Sequence, residues 1–162
     1  MIAPKSGAIT ATIGNEGTGH WIGILPDASK LYVTNKDDRP FISVVDLNKR
    51  ALSGKISAPN GTRGIAVSPD GKRVVAMDLA DPVLILIDSA TDKVIDRIPV
   101  EGQRKAYKAY FSPDGKRLLT MSSAPEQVKL FRCGQPARPA ADRQCRAPPW
   151  GLVSRRMATR SW

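Results

Sequence analysis

A six-residue phrase returns three times in this chain. It reads Pro26-Asp27-Ala28-Ser29-Lys30-Leu31, then Pro69-Asp70-Gly71-Lys72-Arg73-Val74, then Pro113-Asp114-Gly115-Lys116-Arg117-Leu118, at spacings of 43 and 44 residues. Other positions keep the same period. Ile13, Ile56 and Ile98 lie 43 and 42 apart, and Asp46 and Asp88, each closing an apolar run, lie 42 apart. A period of this size means one supersecondary unit copied in tandem, and such a unit buries its apolar faces only by stacking on its neighbours.

The content of the unit is strand and turn. In Ser112-Pro113-Asp114-Gly115 the proline presets φ near −65°, Asp suits the next turn position and Gly accepts positive φ. That geometry joins antiparallel strands. Four short segments can be read in the middle unit: Gly64 to Ser68, Arg73 to Met77, Val83 to Ile87 and Lys93 to Pro99. The run Val83-Leu84-Ile85-Leu86-Ile87 is apolar throughout, as befits a strand buried on both faces. Ala90 to Arg97 can be mistaken for a helix, but its turn-forming lead-in and β-branched residues favour a turn and strand. Four antiparallel strands repeating at about 40–45 residues describe a propeller blade, sandwiched between two neighbours. The sequence therefore predicts an all-β fold of antiparallel four-stranded blades forming an incomplete β-propeller of about three blades.

Strand counting places a blade remnant in 1–13 (one strand at about 8–13), full repeats at 20–56 and 63–98, and three strands at 107–131. Closed propellers need about four to eight blades. Two expectations follow. One is a piece of a longer propeller. The other is a ring in which the N-terminal strand completes the blade begun by 107–131 and two chains pair as a homodimer into six blades.

From Arg132 the repeat stops. Residues 132–162 hold seven arginines against one aspartate, Asp142, and so carry +6 of the formal +10 charge, along with four prolines and both cysteines, Cys133 and Cys145. This Arg/Pro-rich tail reads as disordered or out of frame with the repeats. A basic balance ordinarily suggests an anionic partner. Here most of it resides in the tail, and nucleic-acid binding through the basic surface is the weaker alternative. The Met1-Ile2-Ala3-Pro4-Lys5 start lacks an apolar stretch of the kind a leader carries, and no stretch approaches the ~20 apolar residues of a membrane span.

The inventory leaves few catalytic constellations. His20 is the single histidine, and no Gly-x-Ser-x-Gly elbow exists. A zinc site would need His20 with Cys133 and Cys145 from a segment of no expected order. Gly17-Thr18-Gly19-His20-Trp21-Ile22 imitates a dinucleotide-binding fingerprint, but Ile22 stands at the third glycine and no helix follows. No catalytic residue, metal or cofactor is assigned. Asp46 and Asp88 read as structural acceptors in the turns after the third strands.

Leu31-Tyr32-Val33-Thr34-Asn35 after the first Pro-Asp phrase, with Val45-Asp46-Leu47 beyond it, carries a resemblance. Over residues 1 to about 131 the chain resembles the YVTN family of β-propeller repeats. The later copies keep the spacing but not the letters, with Val75-Ala76-Met77-Asp78 and Leu119-Thr120-Met121-Ser122 in place of Tyr32-Val33-Thr34-Asn35. The resemblance implies a periplasmic or extracellular binding or surface protein. It also implies a ligand or protein partner at one face of the propeller, around the central channel.

That face carries the residues that open the first strand of each unit, His20, Arg63 and Tyr107, and the loops between second and third strands. Those loops hold Asp37 and Asp38, then Asp78 and Asp81. Polar, non-identical residues at one equivalent position of a repetitive scaffold are what a binding site looks like, and such loops are where binding residues concentrate. The function read from the sequence is a noncatalytic binding or scaffold module. The chief alternative is a propeller enzyme domain of the lactonase or quinoprotein/haem-dependent type.

Overall fold

The computed structural model describes residues 7–36, 40–100, 104–124, 126–133 and 153–155. All the secondary structure among them is β. Blade 1 comprises β1 (Gly19–Ile24), β2 (Lys30–Asn35), β3 (Phe41–Asp46) and β4 (Ala51–Ser57), paired in that order. Blade 2 comprises β5 (Thr62–Val67), β6 (Arg73–Asp78), β7 (Val83–Asp88) and β8 (Lys93–Pro99), again in order. Blade 3 comprises β9 (Arg104–Phe111), β10 (Arg117–Ala124), β11 (Glu126–Arg132) and β12 (Val153–Arg155). Every pairing is antiparallel. The architecture is the incomplete, three-bladed propeller expected from the repeat.

The repeated phrase closes the hairpin between the first two strands of each blade. In blade 2 the Asp70 carboxylate accepts the Ser68 hydroxyl at 2.6 Å and the Lys72 N–H at 3.0 Å, while the Gly71 N–H reaches the Ser68 carbonyl at 2.8 Å. Blade 3 repeats the set with Ser112, Asp114, Gly115 and Lys116. Gly71 and Gly115 sit at φ 71° and 67°, a region open to glycine. Ala28 takes their place in blade 1 at φ 55°. Consecutive turns stack: a Cβ on Gly71 would stand 3.2 Å from Pro26 Cδ, and one on Gly115 would stand 3.6 Å from Pro69 Cδ.

Side chains alternate across each strand, so each blade has a face toward the preceding blade and one toward the next. Tyr32, Ile42 and Val44 of blade 1 pack on Val74, Ile85 and Ile87 of blade 2. Val75, Leu84 and Leu86, from the other face of blade 2, pack on Ala109, Leu118 and Phe131 of blade 3. Each such apolar side chain taken fully out of water contributes about 1.5–3 kcal/mol. The innermost strands approach closest. A Cβ on Gly64 in β5 would lie 2.6 Å from the carbonyl oxygen of Tyr107 in β9. The inner strands β1, β5 and β9 therefore form an arc around the propeller axis.

The N-terminal strand at about 8–13 is not formed; Ile9 alone makes an isolated bridge and is 73% exposed. Val153, Ser154 and Arg155 pair with Arg132, Phe131 and Leu130. A segment of the 132–162 tail thus supplies the fourth strand of blade 3. The backbone pattern also runs two residues past 131. Cys133 N–H bonds the Lys116 carbonyl at 2.8 Å, as Leu47 bonds Ser29 and Ser89 bonds Lys72. The rest of the tail, with Cys145, lies outside the described residues.

Candidate functional site

Registry makes the predicted positions equivalent in space as well as in sequence. Gly19 pairs with Asn35, Thr62 with Asp78 and Ala106 with Ser122. His20, Arg63 and Tyr107 therefore follow the same point in each blade, at the end where the innermost strands begin. Each first strand carries a register shift there: between Gly19 and Ile22, between Thr62 and Ile65, and opposite Met121/Ser122 in β9. A bulge inserts a residue that the ladder does not pair and re-aims its side chain. The same irregularity recurs in all three blades at the position where the side chains differ most.

Polar contacts hold the bulges. The buried Thr34 hydroxyl accepts the Trp21 N–H at 3.0 Å and donates to the Arg63 carbonyl at 2.7 Å, tying the bulge of blade 1 to the first strand of blade 2. Trp21, Gly64 and Lys108 are the next equivalent set. Gly64 leaves the middle of the arc without a side chain, and Lys108 Nζ lies 5.0 Å from the Trp21 ring centroid. His20 is exposed and meets Trp21 edge-on, with centroids 5.9 Å apart and planes at 78°. Trp21 is thus both a packing residue and the platform for a cation.

The loop carboxylates divide. Asp78 is 3% exposed and saturated: its Oδ1 accepts the N–H groups of Ala80 and Asp81, both at 3.0 Å, and the Asn60 amide at 3.1 Å. Arg97 stands 3.9 Å from its Oδ2. Asn60 also donates to Asp81 at 2.9 Å, and Asp81 stays exposed at the surface. Asn35, the equivalent of Asp78 in blade 1, is equally buried and bonds Phe41, Ser43 and Asn15. This position shapes the loop from within. Asp37 and Asp38 lie outside the described residues.

At this end His20 and Asp81 are exposed, Arg63 and Tyr107 are half-buried, and Asp78 is buried within its loop. Sequence reading overlooked the bulge, the Thr34 tie and Asn60, although Gly64 between Trp21 and Lys108 was a visible signal. It also overlooked two enclosed atoms at this end, Thr62 Oγ1 and Arg63 Nε, which have no hydrogen-bond partner among the described residues. Enclosed polar groups in that state are uncommon and mark a place where a bound group or water can be received. Among the described residues no cluster of three or more His, Cys, Asp or Glu is arranged to hold a metal ion. Cys133 belongs to the opposite end of blade 3, half-buried against the second core, and burial followed by the Asp114 charge pushes its thiol up from the ordinary value.

That opposite end has a feature of its own. Where Tyr32 fills the seam between blades 1 and 2, Val75 stands between blades 2 and 3. A cleft of about 450 Å³ opens there, lined by Val75, Leu86, Phe111 and Leu118 and rimmed by Asp70 and Lys116.

Comparison with solved structures agrees with the architecture. The chain is similar to hydrazine synthase of Kuenenia stuttgartiensis, at TM-score 0.64 and 21% identity, over 78% of this chain and 36% of that one. It is also similar to the β-propeller domain of Cps50 (Swd1) from Myceliophteria thermophila, at TM-score 0.63 and 17% identity, over 76% of this chain and 38% of that one. These likenesses establish a β-propeller fold. The chain spans a little over a third of each neighbour. No family model and no curated protein matches it.

Proposed function

We propose that this chain is a noncatalytic binding or scaffold module of the YVTN β-propeller type, which receives a ligand or protein partner at the end where β1, β5 and β9 begin. The observation that carries this reading is the thrice-repeated bulge. The scaffold repeats its turns, its registry and its core, yet at the bulge it presents His20, Arg63 and Tyr107, three chemically different side chains at one equivalent point. A rigid frame offering varied groups at its loop end is the usual arrangement for recognition. The two enclosed polar atoms of Thr62 and Arg63 lie at the same end.

A thermal-shift screen of the intact chain against small anions, haem, Ca²⁺ and peptides tests the reading. A ligand held at this end at about 100 times its Kd stabilises the folded state by about 2.7 kcal/mol. The shift should vanish in Arg63→Ala and Tyr107→Ala and persist in Lys49→Ala, which lies at the other end. Turnover of a chromogenic lactone, or of an alcohol with added quinone cofactor, would replace this reading with a propeller enzyme.

A further inference from the structure

The two seams between blades are built from equivalent positions, yet they are filled differently at the end that carries the Pro-Asp turns. Leu25, Tyr32 and Val44 of blade 1 correspond in the repeat to Ser68, Val75 and Leu86 of blade 2. In the first seam the Tyr32 ring is 0% exposed. Its hydroxyl crosses to blade 2, where it donates to Asp92 at 2.6 Å and meets the Ser89 carbonyl at 3.4 Å. A hollow of about 400 Å³ lies outside that ring, lined by turn residues such as Pro26, Asp27 and Gly71 and bounded inward by Leu25.

In the second seam Ser68 and Val75 remove the bulk of Leu25 and Tyr32. The cleft of about 450 Å³ therefore runs inward to Val75, Leu86 and Leu118, with Phe111 as one wall. Phe111 and Leu86 are larger than Val67 and Val44, their equivalents in the first seam, and still do not close it.

We propose that this cleft is a binding site for a small phenol. The first seam shows what such walls accept, an aromatic ring lodged between blades with its hydroxyl at the rim. The volume lies within the range of about 300–1,000 Å³ usual for small-molecule sites. Leu86 and Leu118 give the ring apolar contact, and Phe111 gives it an aromatic partner, which rings meet offset or edge-on. Asp70 and Asp114 line the same cleft. The hydrogen bonds they make within their turns fall on Oδ1, so Oδ2 of either can accept a phenolic hydroxyl as Asp92 does in the first seam. Cys133 takes the place of Ser89, with the same backbone bond to the preceding turn, and also lines the cleft. The cleft is separate from the end where His20, Arg63 and Tyr107 stand, and phenol binding here does not depend on a ligand there.

Isothermal titration of the full chain with p-cresol, the tyrosine side chain as a free molecule, tests the site. One saturable site per chain is expected. Toluene, which lacks the hydroxyl, should bind about three- to tenfold more weakly. Val75→Tyr supplies the ring from the chain itself and should weaken p-cresol binding by at least about tenfold, with far-UV circular dichroism confirming that the sheets are retained. Thiol labelling provides a second measurement that leaves the cleft unaltered. In a Cys145→Ser background, p-cresol at ten times its Kd should slow the reaction of Cys133 with iodoacetamide about tenfold, because only about one site in ten stays open. If Val75→Tyr fails to fold, the labelling rate decides. Absence of saturable binding would overturn the proposal, as would binding that leaves Cys133 labelling unchanged or that a folded Val75→Tyr retains in full. Toluene binding as tightly as p-cresol would overturn a phenol as the ligand class.

Discussion

The Tyr32 hydroxyl donates to Asp92 across the seam between blades 1 and 2 at 2.6 Å, and Lys30 reaches the other oxygen of the same carboxylate at 2.7 Å. One turn aspartate thus fastens two side chains from a strand 60 residues away. Burial first, and the Asp92 hydrogen bond second, push the tyrosine well above its ordinary value of 10.0. Tyr32→Phe keeps the packing and removes the bond. Because Lys30 still holds Asp92, the expected loss is about 1–2 kcal/mol in urea unfolding.

The same tyrosine sets an alkaline limit. Its native value is raised, so its contribution is fully present below pH 10.0 and falls as pH climbs above that, where the unfolded chain releases the proton first. Wild type should lose stability faster than Tyr32→Phe between pH 10 and 12, read by denaturant midpoint at each pH. Parallel curves would assign the alkaline loss to other groups.

Gly64→Ala tests the approach of the inner strands. The new Cβ would meet the Tyr107 carbonyl at 2.6 Å and 2.9 Å from oxygen and carbon, both backbone atoms that cannot turn aside. Overpacking of this kind costs about 1–3 kcal/mol, and a drop in thermal midpoint should report it. The Trp21 fluorescence environment should change too, because Lys108 sits over its ring across this glycine.

The turn glycines give a reciprocal pair. Gly71→Ala places a Cβ at φ 71° and 3.2 Å from Pro26 Cδ, and should cost about 1 kcal/mol or more. Ala28→Gly relieves the same conformation at φ 55° and should be neutral or stabilising by up to about 1 kcal/mol. Differential scanning calorimetry of the two variants should move the midpoint in opposite directions or leave Ala28→Gly unshifted.

Acid should weaken the same turns. The Ser68 hydroxyl and then the Lys72 N–H hold Asp70 below its ordinary value of 3.8, and Ser112 and Lys116 do the same for Asp114. Depressed carboxyls contribute stability that is present above the unfolded value near 3.8 and is lost as pH falls through the lowered native values. Ser68→Ala removes the largest cause for Asp70. Its stability should therefore change less with pH below about 4 than that of wild type.

Legibility followed the range of the interactions. The Pro-Asp-Gly turns, the two complete blades and the structural role of Asp88, which accepts the Ala90 and Thr91 N–H groups at 3.0 Å, rest on neighbours in the chain and could be read from it. The candidate end was readable as a set of equivalent positions, because equivalence is a property of the period. What each group does there was not. Asp78 and Asp81 look alike in the sequence, and only the fold of their loop around Asn60 makes one a buried hub and leaves the other at the surface.

By itself the sequence determined the unit, its period and its strand order, because turn chemistry and apolar runs act over a few residues. Tertiary structure alone decided which edge completes blade 3. Val153–Arg155 pairs with β11, and no local pattern marks so short a strand so far beyond its partner in the chain. The seams were decided the same way. Whether Tyr32 or Val75 faces the next blade sets a filled contact or an open cleft, since packing depends on the volume that two distant strands bring to one place.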